Sequence, residues 1–215
     1  MGMVWRGMSG RLGWLVACVL AGGVLVGATD RSITLWSADH FAGPYRDRIP
    51  QWSSGAKRYT PENVQTAEAD LRAALRIRPT DGGTHELLAA LYTLQAQANW
   101  DDTAQRQRAL ALAAQHLGES VRLRPYLAQP RANLALVAYM QDAPADVVFA
   151  HWQAALDLGP HEQSTRITLL NVSLGLWAES PLSSKNWVKS LKTAPRPFSE
   201  AAWARWEAYF GVELE

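Results

Sequence analysis

The chain has 215 residues, 21 of them basic and 20 acidic, for a net charge of +1. So even a balance offers no global field to draw in nucleic acid or an anionic surface, and no nucleic-acid partner is expected. The one cysteine, Cys18, excludes a disulfide within the chain and a thiolate metal cage, so packing must hold the soluble part together. Ten tryptophans spread from Trp5 to Trp206 suit large core and cap positions.

Residues Leu12 to Ala28 carry no charge, and Arg6 and Arg11 precede them with no acidic residue. A run of 17 residues, at about 1.5 Å per residue, just meets the lower limit for a bilayer core of about 30 Å. Residues 1–28 therefore read as a signal anchor or, since Val26-Gly27-Ala28 offers small residues to a signal peptidase, as a cleaved signal peptide. Leu15-Val16-Ala17-Cys18 resembles a lipoprotein box, but Arg11 leaves too short an apolar core before it. In each case the basic flank keeps the N-terminus inside and sends the body across. The expected location is the inner (cytoplasmic) membrane, single-pass, with the body in the periplasm or outside, or a soluble exported protein if the segment is removed.

Residues 29–60, broken by Gly43-Pro44, Pro50 and Ser53-Ser54-Gly55, read as a linker with room for one short helix. From Pro61 the pattern turns helical, with apolar sets at Val64, Ala67, Leu71 and Ala74; Leu87, Leu91 and Leu94; Ala113, Leu117 and Ser120; and Ile167, Leu170, Leu174 and Trp177. Segments ending at Pro79, Pro125, Pro160 and, more faintly, Pro195 close alike, at intervals of 46, 35 and 35 residues. Proline cannot continue a helix and unfavours helical geometry before it, so each marks a stop. Arg76, Arg78, Arg122 and Arg124 place positive charge at the negative end of the helix dipole. A repeat of this length signals stacked helical hairpins, and the excess in the 46-residue interval is expected around Asn99 to Gln107. Ser199 to Phe210, within residues 196–215, reads as a capping helix with Ser199 as its N-cap and Trp203, Trp206 and Phe210 on one face.

Over residues 61–195 the chain resembles the tetratricopeptide repeat family, whose unit is a two-helix hairpin closing on a proline. Gln129 to Pro160 is the best unit, with Tyr139 in its first helix and Trp152 and Ala155 in its second. Leu88, Ala89, Tyr92, Ala113 and Pro125 mark a second; Ala67, Leu71, Ala74 and Pro79 mark the closing half of another. Trp187 holds the aromatic position of the last, which has Ser183 and Ser190 at small apolar positions and Asn171 where the family has glycine. The resemblance implies an all-α fold, a TPR-like α-solenoid of stacked antiparallel hairpins after the N-terminal transmembrane or signal helix. It also implies a concave groove lined by the first helices. In the register set by the closing prolines, Glu86, Thr93, Asn133, Met140 and Thr168 face that groove.

No nucleophile elbow, phosphate-cradling glycine loop or paired-histidine metal helix occurs. His40, His85, His116, His151 and His161 fall in different segments, so no metal and no cofactor are expected. Asp101-Asp102 reads as a helix cap. Asn171-Val172-Ser173, a glycosylation triplet in form, falls mid-helix. The expected function is non-catalytic: a scaffold or accessory subunit that holds a membrane or envelope protein, of the kind serving a surface-polysaccharide or secretion machine. A purely structural tether is the first alternative. A helical enzyme using Glu68 and Asp70, or Asp101 and Asp102, is the second. A periplasmic reporter enzyme fused after Glu215 is expected to be active and a cytoplasmic reporter at the same point silent; the reverse pattern contradicts the orientation.

Overall fold

The computed structural model describes residues 36–193 and 198–212, so the segment at 1–28, Cys18 and Pro195 lie outside the described residues. The described residues form helices and turns without strands. After a helical stretch at 36–42 come α1 (Tyr45–Ser53), α2 (Pro61–Ile77), α3 (Gly82–Ala98), α4 (Thr103–Leu123) and α5 (Ala128–Met140). Then follow α6 (Ala145–Leu158), α7 (Gln163–Gly175), α8 (Leu182–Thr193) and α9 (Glu200–Phe210). Among them no helix is long and apolar enough to cross a membrane.

Helix starts follow local chemistry. Thr60 and Asn63 cap α2 reciprocally, with Pro61 in the first turn where its missing N–H costs nothing. Asp81 accepts from the Gly83 and Thr84 amides at the start of α3. Asp102 accepts from Gln105 N at 3.0 Å, so this aspartate of the Asp101-Asp102 pair is a cap. Ser199 accepts from Ala202 N at the start of α9, as its sequence position predicts.

The long interval has a simple origin. The helices α3 and α4 have 17 and 21 residues, against 13 and 14 in α5 and α6, while the turns between them are the same length. Additions of four and seven residues are close to one and two helical turns, so the buried faces keep their direction. The excess falls within both helices and is not confined to 99–107.

Consecutive helices joined by short turns pack together, α3 on α4 and α5 on α6, and the pairs join through α4 on α5 and α5 on α7. One apolar cluster spans α1 to α4, with Leu71, Leu88, Leu91, Leu110 and Leu117 buried. A second lies among α5, α6 and α7 around Trp152, which is 1% exposed and donates through Nε1 to the Leu169 carbonyl at 3.0 Å. Rings of Phe149 and Trp187 meet it edge-on. A third joins Leu170, Leu174, Val188 and Leu191 to Trp203 of α9. Gly175 allows α5 to approach α7, because a Cβ there would lie 2.6 Å from Tyr139 Oη. This close approach is served by Gly175 rather than by Asn171.

The 29–60 segment contributes more than a connection. Ile49 and Trp52 of α1 are buried in the first cluster, and Tyr45 Oη donates to Asp70 at 2.5 Å. Burial and that carboxylate push the Tyr45 phenol up to about 12. The helix α1 packs on α3 and reaches α2 through the Tyr45–Asp70 hydrogen bond.

Polar clasps tie the first helices together. Tyr92 Oη donates to Glu68 at 3.1 Å and accepts from Arg72 at 2.8 Å. Behind it, His116 stacks on the Tyr92 ring, and its Nδ1 lies 2.9 Å from Nδ1 of His85. His85 Nε2 faces the Pro79 carbonyl at 3.1 Å, which assigns its proton to Nε2 and leaves His116 Nδ1 as the donor between the rings. Burial first, then the neighbouring His85 and Arg72, hold the His116 imidazole down at about 4, opposed by Glu119 and Glu68. Between that value and the ordinary 6.5 the unfolded chain binds a proton that the folded chain refuses. This contribution to stability is therefore complete above about pH 6.5, declines as the pH falls, and changes no further below about 4. A ring-carbon NMR titration is expected to place the His116 midpoint near 4, alongside a falling urea midpoint through that window in wild type and a flatter acid limb in His116→Leu. Titration near 6.5 contradicts the buried pair.

Candidate functional site

The first helices of successive pairs, α3, α5 and α7, bury one face against their partners and leave another open. With α1 as a wall, their open faces enclose a concavity of about 760 Å³. Half-buried Leu87, Ala90, Leu136 and Ile167 floor it, with Ile49 of α1 at one side. Leu87 and Ile167, which periodicity groups with the core sets, lie at the edge of the buried stripe and turn toward this space.

Four of the five residues chosen from the proline register, Glu86, Thr93, Asn133 and Thr168, line this one concavity, and all are partly exposed. Met140 instead lines a second cavity of about 930 Å³ at the far ends of α3 and α5, bounded by α9. The two spaces share Gln97 and Leu136.

Gln129, which the sequence reading gives only as the start of a repeat unit and not as a groove residue, organises the polar side. Its Nε2 donates to Asn133 Oδ1 at 2.9 Å and to Thr168 Oγ1 at 3.4 Å, while its Oε1 accepts from Thr165 at 3.1 Å. Gln129 stands one turn before Asn133, so the same i, i+4 spacing would have found it. The residues of α1, Arg46 and Pro50 among them, carried no such signal because their segment reads as a linker.

Glu86 differs from its expected role as a free groove residue. Arg124 pairs with its carboxylate and also donates to the Gly82 carbonyl and Ser120 Oγ, each at 2.7 Å. The pair is 31% and 25% exposed, and the arginine lies so close over the helix start that a Cβ on Gly82 would sit 2.6 Å from its Nε. Glu86 thus closes the α3–α4 end as well as bordering the concavity. Arg124, expected to serve the helix dipole, acts chiefly by this crosslink.

Three of the four carboxylates considered for acid–base work, Glu68, Asp70 and Asp102, are held by hydrogen bonds within the fold. Glu68 accepts from Tyr92, Gln95 and Arg72. Asp70 accepts from Tyr45, and Asp102 caps α4, its carboxyl lowered by the Gln105 amide. Among the described residues no group of three histidine, cysteine or acidic side chains could hold a metal ion. Compared with family models, curated proteins and solved structures, the chain matches none.

The two kinds of lining residue are separable. Glu86→Ala strands Arg124 and is expected to cost about 1–2 kcal/mol, below the full value of a charged hydrogen bond because the pair is partly solvated. Thr93→Ala is expected to stay within about 0.5 kcal/mol. Denaturant unfolding measures both, and equal losses contradict this division of roles.

Proposed function

We propose that the protein is a non-catalytic interaction scaffold of TPR-like stacked hairpins. Residues 1–28 tether it to the outer side of the inner membrane, and the open faces of α3, α5 and α7 hold a segment of a membrane or envelope protein. The observation that carries this reading is the convergence of Thr93, Asn133 and Thr168, from three separate helices, on one concavity with an apolar floor and a hydrogen-bonded polar side. Such a surface suits a polypeptide segment, which presents apolar side chains and backbone groups together. A spacer with an empty groove has no use for an apolar floor left partly in water. Glu68, Asp70 and Asp102, three of the carboxylates the enzyme reading draws on, serve caps and clasps, which favours the scaffold. An accessory role in an envelope machine, whether for polysaccharide or for protein export, fits a tethered holder of this form.

Site-specific photocrosslinking in native membranes tests it. A benzophenone amino acid in place of Thr93 or Thr168 is expected to give one discrete heavier adduct, identified by mass spectrometry as a membrane or envelope protein. The same group in place of Gln153, exposed on α6, is expected to give none. An adduct from Gln153 alone moves the working surface to the other side, and no adduct anywhere removes the interaction reading.

A further inference from the structure

The second cavity is lined by Trp100, Tyr139, Trp206, Tyr209 and Phe210; Tyr139 packs on the second apolar cluster and Trp206 and Phe210 on the third, whereas Trp100 and Tyr209 belong to none of the three clusters. Trp100 is 58% and Tyr209 82% exposed, so neither ring is there to fill the core. Trp100 is nonetheless held in place. The Arg106 guanidinium lies 4.6 Å from its ring centre and donates to the Trp100 carbonyl at 3.3 Å. One ring face is covered and the rest stands ready in the cavity.

We propose that this cavity takes a proline-rich, extended stretch of the partner protein, an inference that rests on the interaction reading above. Three observations select that occupant. Rings set around an open cleft match the flat pyrrolidine faces of a polyproline-II helix, whose preformed shape loses little entropy on docking. That conformation leaves its backbone carbonyls unbonded, and the side-chain amides of Gln97 and Asn171 border the same space as donors. The cavity also continues into the concavity through the shared Gln97 and Leu136, so one extended chain can cross both. The lining charge limits the sequence of that chain. Arg205 borders the cavity, Arg106 lies behind Trp100, and no carboxylate is among the described residues that line it, which disfavours lysine- and arginine-rich segments and a quaternary ammonium guest. A sugar chain also stacks on aromatic rings, but an apolar floor of Leu87, Ala90, Leu136 and Ile167 in the adjoining concavity suits side chains better than hydroxyls, and a neutral glucan serves as the competing probe.

The test is calorimetric titration of the full chain in detergent with acetylated, amidated octaproline, and in parallel with the neutral glucan cellohexaose. Saturable binding of octaproline is expected, weakened about tenfold or more in Trp100→Ala and in Tyr209→Ala. Both rings are solvent-exposed, so circular dichroism is expected to be unchanged. Trp100→Phe, which keeps a ring, is expected to retain binding and separates lost stacking from lost folding. Absence of octaproline binding, wild-type affinity in both alanine variants, or binding of cellohexaose with the same dependence on Trp100 overturns the proposal. If crosslinks from Thr93 persist while octaproline fails to bind, only this inference falls; if both fail, the interaction reading falls with it.

Discussion

Pro79, Pro125 and Pro160 each stand just after a helix and a few residues before the next, and the architecture depends on that forced turn. Without a following helical residue the chain reverses, and the next helix must lie against the one before. Each helix then spends one face on its neighbour. The second helices α4 and α6 are flanked by first helices before and after them in the chain. The first helices α3, α5 and α7 gather on one side, where a face of each stays open. The concavity is thus a consequence of where the chain turns, lined by part-exposed residues such as Thr93, Asn133 and Thr168 and by the margin of the first apolar cluster at Ile49, Leu94 and Val137.

Within the apolar clusters, the joints between helices need fixed directions as well as buried area. Hydrophobic contact is non-directional, whereas the bonds at the joints are not. Tyr92 with Glu68 and Arg72 sets α2 against α3; Arg124 with Glu86 sets α4 against α3; Trp152 Nε1 on the Leu169 carbonyl sets α6 against α7. Each joins residues 17 to 38 positions apart and fixes the slope of a wall of the concavity. The lining of the concavity and the stability of the hairpins are therefore coupled at Glu86, and separate at Thr93 and Thr168.

Much of this was legible in the sequence because it is local. Caps at Asp102 and Ser199, stops at the prolines, and the stripe Val64, Ala67, Leu71, Ala74 each depend on residues within a few positions. The register they set was sufficient to bring Glu86, Thr93, Asn133 and Thr168 to one surface. What escaped was non-local. Pro44 and Pro50 disguise α1 as a linker, since its helicity and burial come from packing on α3. Arg124 meets Glu86 only after the α3–α4 hairpin closes, and the aromatic cavity exists only once α9 lies near the ends of α3 and α5. Periodicity also overstates the core at its edges: Leu87 and Ile167 fit the stripe and yet floor the groove, because a stripe about 100° wide has margins that face either way.

The account stands on one claim, that the first-helix side is the working face and the second-helix side is its support. Hydrogen–deuterium exchange of the full chain, alone and in complex with the partner recovered from membranes, tests that claim at every amide. The account predicts slowed exchange along α3, α5 and α7 and at the start of α9, with the amides of α4 and α6 unchanged. Slowing confined to α4 and α6, with α3, α5 and α7 unaffected, would contradict it.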